Sequence, residues 1–321
     1  MDIEKLTEEI IKGRRLTKDD DLSFLIDTEL EKLTECADKL RRHFSGTKAD
    51  LCSIINGRSG RCSEDCKFCA QSGHHCTGIE EYSFLEKDRI KAECDHNEKQ
   101  GVDRFAIVTA GRKLSGQEFE KALDVYRTLS QENHVKLCAS FGLLEEEQFS
   151  ALKEAGVTRY HANIETSREN FRNICTTHTF EDKLECIRRA KAAGLQVCSG
   201  GIIGMGESWA DRISMALTLS GLGVSSIPIN ALIPIKGTPL ENVERMTEPD
   251  ILRTVAVFRF IVPEADIRLA AGRNLMENCG EQAFLSGADS AITGDMLTTS
   301  GNRIREDIAM LRNIGYTAGR N

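Results

Sequence analysis

Apolar residues at Leu22, Ile26, Leu30, Leu33, Cys36 and Leu40 recur every three or four positions as one stripe, which predicts helix for the first forty-six residues. From Ala49 the pattern changes to short apolar runs alternating with amphipathic segments of roughly ten to fifteen residues. The runs predict eight strands, at 51–56, 104–109, 135–141, 158–165, 195–199, 226–233, 266–271 and 290–293. The segments between them predict helices that include 116–131, 144–155, 180–193, 209–222 and 248–261. Strands that read as continuous apolar runs are covered on both faces, so the sheet is parallel. Eight βα units in about 250 residues match a closed (β/α)8 barrel of the TIM type. The predicted organisation is an N-terminal helical extension over 1–46 and a barrel over 47–321. An open doubly wound sheet is the alternative, and in both architectures functional groups gather at the carboxyl ends of the strands.

The uncharged stretch 213–235 is long enough to suggest a membrane span. Gly221, Gly223, Pro228 and Pro234 interrupt it, and a helix, a glycine turn and a buried strand account for it better. With 50 acidic against 42 basic residues the net charge is −8, which leaves no basic field for a nucleic acid or an anionic membrane. A small-molecule substrate is expected. Twelve cysteines exceed what core filling uses, and the opening MDIEKLTEEIIKGRR lacks the apolar core of a secretory signal. A reducing cytoplasm is therefore expected, where clustered thiols read as metal ligands before disulfides.

Cys62, Cys66 and Cys69 form a C-x3-C-x2-C array on the glycine-rich loop after the first predicted strand. A zinc site would need a fourth ligand, for which His74, His75 and Cys76 stand nearby. With only these three thiolates, an iron-sulfur cluster keeps one iron open. The segment 62–69, with Phe68 before the last cysteine, resembles the signature of radical S-adenosylmethionine enzymes. That resemblance implies a 4Fe-4S cluster whose open iron is chelated by S-adenosylmethionine. One electron then splits the sulfonium into methionine and a 5′-deoxyadenosyl radical. Five segments, CSEDCKFCAQS, NIETSRENFRNICTTHTFEDKL, VCSGGIIGMGE, SIPINALIPIKGTPL and IRLAAGR, are similar to the biotin synthase family, over nearly the whole chain after the N-terminal helices. The implied activity is sulfur insertion into dethiobiotin, with electrons from a donor such as flavodoxin or ferredoxin and a homodimer as the assembly. A related barrel enzyme that acts on another small molecule without sulfur insertion is the alternative, and a non-enzymatic zinc-loop barrel is a third reading.

The family also implies an auxiliary cluster, usually 2Fe-2S, deep in the barrel. Cys138, Cys198 and Arg268 match three of its four ligands. The fourth is missing, because Ala106 stands where the family has cysteine. Cys52, on the first strand, is the expected substitute, with Cys175 a weaker one, and the cluster type is left open. A buried Arg268 would otherwise need a carboxylate partner. Cys36, Cys94, Cys186 and Cys279 lack a converging partner and are read as inert.

The run from Gly200 to Glu207 follows a strand and precedes a helix, yet lacks the full pattern of a dinucleotide cradle. It resembles the family element in which Ile202 meets adenine, with Phe68 packing nearby. Asn163 matches a ribose-binding residue and borders the substrate. Glu165 replaces the usual aspartate there, and His178 replaces an arginine that meets the methionyl carboxylate. Asn230 matches a residue that hydrogen-bonds the ureido ring of dethiobiotin, for which an amide supplies both donor and acceptor.

Overall fold

The computed structural model describes residues 2–294 and 303–319. Three helices come first: α1 (Ile3–Ile11), α2 (Phe24–Asp27) and α3 (Leu30–Ser45). The barrel follows as β1 (Asp50–Arg58), α4 (Lys87–Gln100), β2 (Arg104–Thr109), α5 (Gly116–Glu132), β3 (Lys136–Ser140), α6 (Glu146–Glu154) and β4 (Val157–His161). It continues through α7 (Phe171–Ile174), α8 (Phe180–Ala192), β5 (Gln196–Cys198), β6 (Gly201–Ile203), α9 (Trp209–Gly221), β7 (Ser226–Ala231) and α10 (Glu248–Ile261). The last elements are β8 (Asp266–Leu269), α11 (Glu281–Phe284), β9 (Ser290–Ile292) and α12 (Ile304–Asn313).

All pairings between named strands are parallel, in the order β5-β4-β3-β2-β1-β9-β8-β7-β6, and a β5–β7 pairing closes the sheet into a barrel. Eight staves are built from nine strands because the fifth is broken into β5 and β6. The break falls at Gly200, where an added Cβ would strike the Pro228 carbonyl on β7. Pro228 in turn has no N–H to give the neighbouring stave there. The open doubly wound alternative is thereby excluded, and the predicted strands all recur, with ends shifted by a few residues.

The apolar stripe near the N-terminus is not one helix. Thr28 and Glu29 are extended and divide it into α2 and α3. Leu25, rather than Ile26, takes the buried place on α2, while Leu33, Cys36 and Leu40 carry the stripe along α3. These side chains pack with Leu6 and Ile10 of α1, and α3 lies along α10. Each full burial of such a side chain contributes about 1.5–3 kcal/mol. Arg259 of α10 is fully buried, donates to the carbonyls of Gly287, Pro263 and Ala265, and pairs with Asp289 at 2.8 Å. It thereby pins the turns on either side of β8. The uncharged stretch 213–235 is divided between α9, a glycine turn and β7. Among the described residues no helix is long and apolar enough to cross a membrane.

Candidate active site

β1 runs straight into the cysteine loop. Gly60 and Arg61 both take left-handed backbone, turning the chain back so that the N–H of Cys62 reaches the Gln71 carbonyl at 3.0 Å and that of Gly73 reaches the Cys62 carbonyl at 2.7 Å. Cys62, Cys66 and Cys69 sit half-buried on this loop. Burial pushes the Cys69 thiol up to about 11, against backbone N–H bonds from Gln71 and Ser72. The nearby histidines are otherwise engaged, His74 on the Ser63 carbonyl at 3.0 Å and His75 on the Cys66 carbonyl at 3.1 Å. Cys76 is exposed.

Cys175 does not reach the barrel interior, contrary to its reading as a weaker auxiliary ligand. Its sulfur lies 3.6 Å from that of Cys66 and 3.3 Å from His178 Nδ1, and the three side chains offer ligating atoms within 4.8 Å of one another. The hydrogen bond from Cys66 pulls Cys175 down to about 4 although burial opposes it, and the same bond pushes Cys66 up. His178 is buried against Glu64, with Nδ1 2.6 Å from Oε2.

Strand ends form the next layer. Phe68 and Ile202 belong to one apolar cluster with Ile174, Met205 and Leu232. Asn163 accepts from the Gly200 N–H at 3.0 Å. Glu165 has a left-handed φ of 69°, lies 3.5 Å from Lys183, and leaves its buried Oε2 without a partner. Glu207 closes the Gly200–Glu207 turn, because its carboxylate accepts from the N–H of Gly204 and of Met205, both at 2.8 Å, and from Arg212.

Inside the barrel is a cavity of about 270 Å³ whose walls include Cys52, Ala106, Cys138, Cys198, Arg268, Asn163 and Asn230. Cys52, Ala106 and Cys138 pack together as one buried cluster, and the Cys52 thiol donates to the Ser53 carbonyl at 3.5 Å. The interaction between the two thiols lowers Cys138 to about 6 against burial and raises Cys52. Tyr126 holds β3 here by donating to the Cys138 carbonyl at 2.6 Å. Burial works against ionising Cys198, yet a hydrogen bond from His161 and the charges of His161, Arg268 and Arg159 lower its pKa. Arg268 already has the carboxylate partner that its burial requires, Asp50 at 2.6 Å. Burial disfavours its charge, but Asp50 holds its pKa above the ordinary value.

Residues 58–219 match the model of the radical SAM superfamily, and residues 228–317 match the biotin and thiamin synthesis associated domain. A biotin synthase of Clostridium beijerinckii is 58% identical, the match covering 98% of this chain and 100% of that one. One of Alkaliphilus metalliredigens is 57% identical over 98% and 99%. The chain belongs to the biotin synthase family. Among solved structures, methylornithine synthase superposes with a TM-score of 0.83 at 21% identity, covering 98% of this chain and 97% of that one, a likeness of fold. Biotin synthase inserts sulfur into dethiobiotin by radical chemistry, and this activity excludes the readings without sulfur insertion and without enzymatic function. The reaction requires a 4Fe-4S cluster, S-adenosylmethionine, an auxiliary iron-sulfur cluster and a redox partner that delivers electrons.

The donor sets fit those groups. Three loop thiols suit an iron-sulfur cluster that keeps one iron open, and the orphaned carboxylate oxygen of Glu165 is a ready acceptor for a sugar hydroxyl. Cys52, Cys138 and Cys198 face one cavity. Sequence reasoning missed Arg104, Arg159 and His161 as cavity groups, Glu64 and Lys183 as partners, and Glu207 as a clamp. A signal was present for the cavity groups, because Arg104 and Arg159 each stand two residues before an inward-facing neighbour, Ala106 and His161.

Proposed function

We propose that Cys62, Cys66 and Cys69 hold the 4Fe-4S cluster and that Cys52, Cys138 and Cys198 hold the auxiliary one. Phe68 and Ile202 flank adenine, Asn163 and Glu165 take the ribose hydroxyls, and His178 borders the methionyl group, kept in orientation by Glu64. Asn163 and Asn230 border dethiobiotin. Asn230 spends one donor on the Gly201 carbonyl and one acceptor site on the Ala271 N–H, which leaves one of each for a ureido ring. Arg268 remains a protonated counter-charge on Asp50 rather than an iron ligand. When bound, the two clusters and S-adenosylmethionine supply the radical and the sulfur. The chain's part is to hold dethiobiotin between the loop and the thiols and to keep water out, which a closed barrel wall does. Residues 1–46 act as a helical extension to the barrel of 47–321, of which Met1, 295–302 and 320–321 lie outside the described residues. A flavodoxin or ferredoxin as donor, a homodimer and a cytoplasmic setting complete the reading.

The observation that carries it is the convergence of Cys52, Cys138 and Cys198 on the cavity that Asn163 and Asn230 also line. Anaerobic incubation with dethiobiotin, S-adenosylmethionine and a reductant, with mass spectrometry for biotin, tests the reaction. Iron and sulfide analysis of Cys52→Ala, Cys138→Ala and Cys198→Ala tests the ligands. Each variant is expected to keep the radical cluster and lose the other, and a full complement in Cys52→Ala overturns its assignment.

A further inference from the structure

Three guanidinium groups, Arg104, Arg159 and Arg268, are buried together in the wall of the barrel cavity, none more than 4% exposed. Two carboxylates pair with them, Asp50 and Asp266. The hydrogen bonds are unevenly shared. Arg268 donates to Asp50 through both its carboxylate and its carbonyl, to the Ala291 carbonyl and to the Ser226 hydroxyl. Arg104 spends Nε on Asp50, and its Nη1 is buried with no partner. Arg159 reaches Asp266 through Nη2 at 3.2 Å, and both its Nε and Nη1 are buried with no partner. Unpaired charged donors inside a protein are costly, and a fold that holds three of them on residues lining one cavity is matched to an anion.

The sheet register says where that anion sits. Arg104 is directly beside Cys52 in the β1–β2 pairing, and Arg159 directly beside Cys138 in the β3–β4 pairing. Side chains abreast in a parallel pair face the same way, so each of these partly unpartnered guanidiniums flanks one of the proposed ligand thiols. We infer that Arg104 and Arg159 form an anion cradle for the auxiliary iron-sulfur cluster, donating their free N–H groups to its inorganic sulfides while Arg268 stays on Asp50. This inference rests on the assignment of the auxiliary cluster to Cys52, Cys138 and Cys198. Thiolates and sulfides together make the cluster anionic, and the cradle supplies the opposing charge that a fourth, absent cysteine would have made still more necessary.

The test uses the full chain, cluster-free and reconstituted, as wild type, Arg159→Met, Arg159→Lys and Arg104→Met. A cluster-free Arg159→Met protein is expected to unfold at the same temperature as wild type or higher, because unpaired buried donors have been removed; an arginine with a merely structural role lowers it. In reconstituted Arg159→Met the auxiliary cluster is expected to lose iron to a chelator roughly tenfold faster or more. Its midpoint potential is expected to fall, because hydrogen bonds to cluster sulfur are removed, while that of the 4Fe-4S cluster stays put. Arg159→Lys, which keeps the charge, is expected to restore part of the retention. Unchanged release rate and potential in Arg159→Met, beside a wild type that holds two clusters, overturn the cradle alone. A wild type that binds one cluster overturns the assignment beneath it, and the cradle with it.

Discussion

Cys52 and Cys138 belong to one buried cluster with Ala106, although β2 lies between their strands. The residue that looks like a loss in the sequence thus packs beside both thiols, where its small side chain leaves the cavity wall to them. In the proposed ligand set the thiol of Cys52 takes the place of the missing cysteine from one strand away.

This relationship predicts epistasis. Cys52→Ala alone is expected to abolish the auxiliary cluster and biotin formation while S-adenosylmethionine cleavage continues. Adding Ala106→Cys to Cys52→Ala restores a third thiol to the same wall and is expected to recover part of both, read as iron, sulfide and biotin per chain. Failure of the double variant to regain any cluster counts against substitution of one thiol for the other.

A second prediction concerns Asp50, which faces Arg104 at 2.9 Å and Arg268 at 2.6 Å. Burial opposes its ionisation, but the charges of Arg268 and Arg104 outweigh burial and hold its carboxyl well below the ordinary range. A depressed carboxyl contributes stability that is present above its unfolded pKa of about 3.9 and is lost as pH falls below that. Asp50→Asn is expected to cost roughly 3–5 kcal/mol near neutral pH, because two guanidinium groups lose their partner. Urea unfolding of the cluster-free protein at pH 7 and at pH 3 checks both parts: the deficit shrinks at the lower pH.

Much of this was legible in the sequence for a simple reason. Buried parallel strands are continuous apolar runs, and a ligand loop needs its cysteines close together, so both are local patterns. The break between β5 and β6 was not, because it arises from the carbonyl of Pro228 pressing on Gly200 from another stave. The division of α2 from α3 was hidden by an apolar spacing that continues across two extended residues. Cys175 was misplaced for a related reason: a loop residue has no periodicity to say which way it faces, and only folding brings it to Cys66. Arg104 and Arg159 stand in strands whose runs are otherwise apolar, where a charge reads as a strand end rather than as a wall of the site.

Glu165 yields a third prediction. A non-glycine residue held in left-handed backbone costs of order 1–3 kcal/mol and persists where the surroundings enforce it, here where the Gly200 carbonyl accepts its N–H and its own carbonyl accepts the Ile202 N–H. The strain aims a carboxylate with a free buried oxygen beside Lys183. Glu165→Gln keeps the shape and removes the charge. The KM for S-adenosylmethionine, measured from 5′-deoxyadenosine release, is expected to rise about tenfold or more with a small change in kcat. An unchanged KM removes Glu165 from the ribose site.

Glu207 is the last residue with a separable prediction, because it touches the site only through the backbone. Its carboxylate, 1% exposed, gathers two N–H groups and Arg212, and those N–H groups belong to Gly204 and Met205, which follow Ile202 in the proposed adenine wall. Glu207→Gln swaps one acceptor oxygen for an amide that donates, so either a backbone N–H or Arg212 loses its partner. Hydrogen bonds to charged groups contribute about 1.5–3 kcal/mol each, and the variant is expected to lose stability of that order in urea. If the clamp also sets the height of Ile202 and Met205 against Phe68, the KM for S-adenosylmethionine rises while the spectrum of the reduced 4Fe-4S cluster without S-adenosylmethionine stays that of wild type. A loss of stability with an unaltered KM would make Glu207 a clamp for the fold alone.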